Sequence, residues 1–162
     1  SMRKLFSFFC INEFRINMYV KGRGKKKNNW FSRCISFILR KHLKKKYHIL
    51  LGKNMNLDED LVLPHPHNII LGNECKIGKH CTIYHDVTVG QNRGKYPLIG
   101  NNVIIYTGAR IIGDINIGDW AVIGANSVIT NDIPAYGIAA GIPGKILKYR
   151  GSEDEFNEDR FH

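Results

Sequence analysis

Aliphatic residues recur at every sixth position through most of the second half of this chain. From Leu71 the step runs through Ile77, Ile83 and Val89, and from Ile99 through Ile105, Ile111, Ile117, Ile123 and Ile129. Four places after each stands a mostly small or β-branched residue: Cys75, Cys81 and Val87, then Val103, Ala109, Ile115, Ala121, Ser127 and Ile133. Leu51, Leu57 and Leu63 keep the same step upstream. A helix repeats at 3.6 residues and a strand at 2, so neither alone gives a strict six. A short strand plus a tight turn does. The aliphatic points inward, the small residue packs beside it, and a following glycine such as Gly72, Gly78, Gly100 or Gly118 relieves the backbone. Three hexads close a triangular coil, and stacked coils build a mainly β structure, a parallel β-helix. A β-sandwich would instead turn every 8–12 residues. The step breaks twice, by two extra residues after Ile69 and by four within 89–98, and both breaks read as insertions.

The first fifty residues follow a different pattern. Within 29–52, Phe31, Ile35, Ile38, Leu39 and Leu43 fall near helical spacing, and Lys41, Lys44, Lys45 and Lys46 make the other face and C-terminal end basic. A shorter segment, 12–20, is compatible with a second helix. The apolar face is expected to cap the open end of the coil, which shields an otherwise unpaired edge. The alternative is contact between residues 20–46 and an acidic membrane surface or an anionic glycan. The expected organisation is a basic helical segment (1–50), a β-helix domain (51–148) and an acidic tail (149–162).

Charge changes this picture only locally. The 162 residues carry a formal charge of +10, but residues 1–50 hold fourteen Lys and Arg against the single acid Glu13, and the remainder is net acidic. Basicity therefore belongs to one segment. That segment lacks interleaved stacking aromatics, so no nucleic-acid partner is expected. Its GRGK stretch (22–25) lacks the spacing and preceding strand of a phosphate loop. No apolar run reaches the roughly 18–20 residues that span a bilayer, and no secretory cleavage pattern follows LFSFFCI (5–11), so the expected location is the cytoplasm, with a peripheral membrane contact left open. Cys10, Cys34, Cys75 and Cys81 form no CxxC pair, and the last two sit at packing positions of the repeat, not at metal-ligand spacing.

Candidate chemistry sits on one edge of the coil. His65 is the third residue of the hexad that starts at Leu63, and His85 is the third of the hexad that starts at Ile83. Three hexads and one insertion separate those starts, so the two histidines should lie one coil apart, about 4.8 Å along the axis. The third place one coil further is Thr107, and beyond it Ala125. The face thus runs from two histidines to a small-residue strip, TGA (107–109) and GAN (124–126), where a long ligand can approach the backbone. His67 reads as a turn residue between Pro66 and Asn68.

The runs LPHPHNIILGNECKIGKHCTIYHDVTVG (63–90), PLIGNNVIIYTGARIIGDINIGDWAVIGANSVITNDIP (97–134) and AAGIPGKIL (139–147) resemble the hexapeptide-repeat acyltransferases, and within them the serine acetyltransferases and related sugar O-acetyltransferases. The resemblance covers about half of the chain. It implies a left-handed coil, a homotrimer or a multiple of it, and acetyl-CoA as co-substrate without a metal. It places His65 on the catalytic base. The chemistry suits the residue: a hydroxyl is a poor nucleophile at neutral pH and must lose its proton as it attacks a thioester, and imidazole titrates in that range. It further implies that acetyl-CoA lies in a groove between subunits, against Thr107, Gly108, Ala109, Gly124 and Ala125, with Lys145 and Lys148 meeting its phosphates. His85, Lys95 and Tyr96 fall on acceptor-binding positions.

Two departures bear on the acceptor. The family's Asp before the base, which helps hold an ammonium group, is Pro64, and its Arg-His pair before a proline is Lys95-Tyr96, which keeps one charge but loses the bidentate fork. The carboxylate that orients the base has only Asp58 and Asp60 as candidates. These departures favour the hydroxyl of a sugar or surface-polysaccharide precursor as acceptor, with L-serine as the alternative and a non-catalytic trimeric scaffold as a further one. A zinc-dependent carbonic anhydrase on the same coil would need His80 and His85 as joint ligands, but their hexad places differ from those that such a site uses.

Overall fold

The computed structural model describes residues 41–57 and 61–151. Fourteen short strands appear among them: β1 (Leu50–Leu51), β2 (Asn56–Leu57), β3 (Ile70–Leu71), β4 (Lys76–Ile77), β5 (Thr82–Ile83), β6 (Thr88–Gly90), β7 (Leu98–Ile99), β8 (Ile104–Ile105), β9 (Arg110–Ile112), β10 (Asn116–Ile117), β11 (Val122–Ile123), β12 (Val128–Ile129), β13 (Gly137–Ala140) and β14 (Lys145–Tyr149). Three parallel sheets are the three sides of the coil: β1-β3-β6-β9-β12, β2-β4-β7-β10, and β5-β8-β11-β13, with β14 antiparallel to β13. The register equals one coil of three hexads where nothing is inserted, as for Ile70 opposite Thr88 and Arg110 opposite Val128. Across the 89–98 insertion the partner lies four residues further on, as for Thr88 opposite Arg110.

The six-step set forms the core. Leu57, Leu63, Leu71, Ile77, Ile83, Val89, Ile99, Ile105, Ile111, Ile117, Ile123 and Ile129 are all buried. Their small partners Cys75, Cys81, Val87, Val103, Ala109, Ala121 and Ser127 are wholly inaccessible, filling the angles between larger side chains. Many corners hold a residue with left-handed φ, which lets the chain turn sharply without losing its inter-coil bonds. Along one corner these are His48, Asn68, Asp86, Gly108 and Asn126. Gly108 takes this φ without strain, and a Cβ added there would displace the Asn126 side chain of the next coil.

Both open ends of the coil are covered. Residues 41–47 are helical, and Leu43 and Tyr47 pack on the core, as the capping role requires. The helix ends earlier than the pattern over 29–52 suggests. His48 takes φ 55°, Ile49 turns into the core and β1 has already begun at Leu50. Sheet pairing with β3 outcompetes the helical continuation. Phe31, Ile35, Ile38 and Leu39, the 12–20 segment and the acidic tail from 152 lie outside the described residues. At the other end, Gly144 N–H donates to Val128 O at 2.8 Å and Val128 N–H to Gly141 O at 3.0 Å, folding the 141–144 turn over β12. No helix among the described residues is long and apolar enough to cross a membrane.

The two cysteines at packing positions are free and buried. Burial pushes the Cys75 thiol up to about 12, and Cys81 Sγ donates to Gly100 O at 3.1 Å. In a variant with Cys10→Ser and Cys34→Ser, neither remaining thiol should react with an aromatic disulfide reagent at pH 8 until denaturant is added, when both should. Rapid labelling of the native protein would contradict the packing of the coil.

Candidate active site

The stretch 63–69 joins the third sheet to the first, and it is where the two-residue insertion sits. Val62 pairs with Thr82, twenty residues on. Asp86 N–H, by contrast, donates to His67 O, and Asn68 and Asp86, eighteen apart, share the left-handed turn. The extra residues therefore lie between Leu63 and His67, upstream of the expected point after Ile69. Ile69 itself is wholly buried at the position that Cys75 and Val87 occupy in their hexads. A buried aliphatic cannot leave its packing place, so the slack is taken up at the exposed corner instead. His67 N–H closes a tight turn onto His65 O at 2.8 Å.

This bulge brings imidazoles together. The His65 ring meets His85 edge-on at 5.9 Å between centroids and lies 6.2 Å from the Tyr84 ring. Tyr84 stacks on Tyr106 of the next coil at 5.1 Å, a rigid wall on one flank. His65 is exposed, whereas His85 is half-buried. His85 Nδ1 is buried and makes no hydrogen bond, so Nε2 is the nitrogen that can serve a ligand. In backbone register the ladder reads His67, His85, Thr107, Ala125. Asp86, Gly108 and Asn126 N–H donate to the carbonyls of His67, His85 and Thr107, and Thr107 Oγ1 donates to His85 O at 3.1 Å.

The small-residue strip continues along this same corner, but its members differ. Thr107, Gly108 and Gly124 are partly exposed and Ala125 is exposed. Ala109 is wholly buried and its carbonyl accepts Thr88 N–H at 3.0 Å. Ala109 is thus a core residue, and its side chain cannot meet a ligand, contrary to the expectation from the resemblance. Its hexad place, two before Ile111, is an inward one. Lys145 and Lys148 lie at the exposed edge of β14, opposite Ala140 and Ile138. They stand at the far end of the coil from His65, five strand spacings along the third sheet, or ~24 Å.

Lys95 and Tyr96 are not brought to this corner. They precede β7, at the corner between the first and second sheets, with the whole of the first sheet between them and His65. Lys95 Nζ bonds Asp114 Oδ2 at 2.5 Å, and the Asp114 hydrogen bond and charge hold the ammonium above its usual value. The Tyr96 ring packs over Gly72, where a Cβ would meet its Cε1 at 2.7 Å. In a single chain these residues cannot join His65. Asp58 and Asp60, the candidate orienting carboxylates, lie outside the described residues. His80 and His85 occupy different corners, so they cannot share a metal. Among the described residues, no group of three or more His, Cys, Asp or Glu side chains converges on a metal position.

Sequence reasoning missed His48. Its ring lies 5.3 Å from that of His67, and it sits one coil before Asn68 at the same left-handed turn position. Counting back from Asn68 through the insertion would have found it. The helical reading of 29–52 concealed it.

Comparison with known proteins bears on the coil as a whole. Residues 96–131 match the bacterial transferase hexapeptide family, described as six repeats. A serine acetyltransferase of Staphylococcus xylosus is 44% identical over 95 residues, which cover 56% of this chain and 44% of that protein. Among solved structures, the serine acetyltransferase of Neisseria gonorrhoeae in complex with serine superposes with a TM-score of 0.64 at 28% identity, over 72% of this chain and 49% of that one. A serine acetyltransferase in complex with CoA superposes at 0.66 with 29% identity, over 71% and 49%. The chain spans about half the length of the relatives that it matches.

Proposed function

We propose that this chain is a hexapeptide-repeat transferase, an acetyl-CoA-dependent O-acetyltransferase with His65 as its general base. The observation that carries this reading is the exposed His65 imidazole set against His85, at the head of a corner whose next members are Thr107, Gly108 and Ala125. The imidazole takes the proton of an acceptor hydroxyl as that oxygen attacks the thioester carbonyl. It then returns the proton to the departing thiolate, so that free CoA leaves with its thiol restored and the enzyme is regenerated. Thr107, Gly108, Gly124 and Ala125 leave room for the elongated arm of CoA, and Lys145 and Lys148 would neutralise phosphate at the far end. A homotrimer belongs to the proposal, because only a neighbouring copy can bring a Lys95-Tyr96 corner to the His65 corner.

The acceptor that the relatives support is L-serine, in place of the sugar that the sequence alone favours. The sugar reading keeps one observation: Pro64 offers no charge to an ammonium group, and Lys95 is bound to Asp114. Release of free CoA from acetyl-CoA, followed against L-serine and against nucleotide- and lipid-linked sugars, separates the two. Turnover is expected with L-serine at millimolar concentration. Turnover with a sugar and none with serine would restore the glycan reading, and CoA release with no acceptor of either kind would remove the proposal.

A further inference from the structure

The insertion at 63–67 does more than expose His65. It also turns His67 outward against His48, 5.3 Å between ring centroids, on the side of His65 away from the Thr107–Ala125 strip. Both rings are exposed. Residues 41–68 hold five lysines and four histidines against three acids, Asp58, Glu59 and Asp60, which lie outside the described residues, so the segment carries a modest positive formal charge. Asn68 N–H donates to Tyr47 O at 2.9 Å, which ties the helical segment with Lys44, Lys45 and Lys46 to this corner, and Lys46 Nζ stands 4.8 Å over the Tyr47 ring. The acid nearest in register, Asp86, turns its carboxylate onto Asn68 Nδ2 at 2.6 Å.

We infer that the His48–His67 pair is an anion subsite that holds a carboxylate or phosphate group of the acceptor while its hydroxyl faces His65. The inference rests on the proposed O-acetyl transfer and names the acceptor class within it, an anionic hydroxy compound. An imidazole presents an N–H donor in either protonation state, and two such donors a ring-width apart match two oxygens of one anionic group. The surrounding lysines raise the local concentration of anions without needing to touch them. The pair also supplies a grip on the His65 side of the coil, where Lys95 does not reach within one chain.

The test uses the full chain with His48→Gln, His67→Gln and the double substitution. In transfer assays with L-serine against uncharged L-serinamide, and with a sugar phosphate against the free sugar, the parent should favour the anionic member of one pair, which identifies carboxylate or phosphate as the group held. In the double variant KM for that acceptor should rise about tenfold or more, with kcat and KM for acetyl-CoA within twofold and the preference for charge abolished. Titration of the parent with inorganic phosphate and with acetate, at constant ionic strength in chloride, should move the His48 and His67 ring resonances in NMR spectra. That readout survives if the variants fold poorly or if no acetyl transfer occurs, so loss of the transferase reading and loss of the subsite are distinguishable. Ring resonances that stay fixed under both anions would overturn the subsite, as would an unchanged acceptor KM in a folded double variant.

Discussion

Replacing His65 with asparagine should lower acetyl transfer by about 10²–10⁴, the usual contribution of a positioned general base. The protein itself should stay intact, because His65 is exposed and packs only its ring edge against His85 and Tyr84. The loss should fall on kcat, with KM for acetyl-CoA little changed, since the strip proposed to hold CoA starts two coils away at Thr107. Steady-state CoA release, with far-UV circular dichroism and thermal unfolding as fold controls, measures both parts. An asparagine variant within threefold of the parent would remove the base from His65. His85→Asn should cost less, because the ring is half-buried with Nδ1 turned inward.

The second large effect is on stability. Ile105 is wholly buried, between Ile83 of the coil before and Ile123 of the coil after, in register with both. Truncation to alanine should destabilise the fold by about 2–5 kcal/mol, and truncation to valine by about 0.5–1.5 kcal/mol. The gap between the two is informative. A coil that collapsed freely onto the vacancy would show only the transfer term, about 0.8 kcal/mol for each carbon removed. Here the neighbours are held by ladder bonds on either side, such as Tyr106 N–H to Ile123 O at 2.9 Å, so the cavity should remain open. Denaturant unfolding followed by circular dichroism reads the difference. An alanine variant that loses less than about 1 kcal/mol would show that the stacked aliphatics are not the main support of the coil.

These predictions differ in how directly the chain announced them. Ile105 belongs to a strict step of six, and its inward direction follows from that step alone. His65 needed the step plus an insertion, and the insertion had to be placed. Its length was legible from the distance between Leu63 and Leu71. Its position was not, because periodicity counts residues without saying which of them leave the ladder. Packing chose: Ile69 stayed inside, and the chain bulged between Leu63 and His67. Ala109 is a different case: the six-step already gave it an inward place, which its burial bears out, and only the resemblance put it against a ligand. The limit of periodicity also explains His48, where a helical pattern ran on past the residue at which sheet pairing takes over. Lys95 and Tyr96 carried a recognisable position in the sequence, but their corner of the coil differs from that of His65.

By itself the sequence determined the period, hence the three-sided coil and its buried set, because a repeat of six admits one inward direction per hexad. It read His65 as the register partner of His85, a place that the stacked coils give to His67, with His65 reaching His85 from the bulge. Tertiary structure alone decided which corner residues project: the pairing of His67 with His48, the tie of Lys95 to Asp114 and the separation of the 95–96 corner from the histidines. Those outcomes depend on where slack is released between fixed ladders, and that is a property of the stacked coils, not of any single hexad.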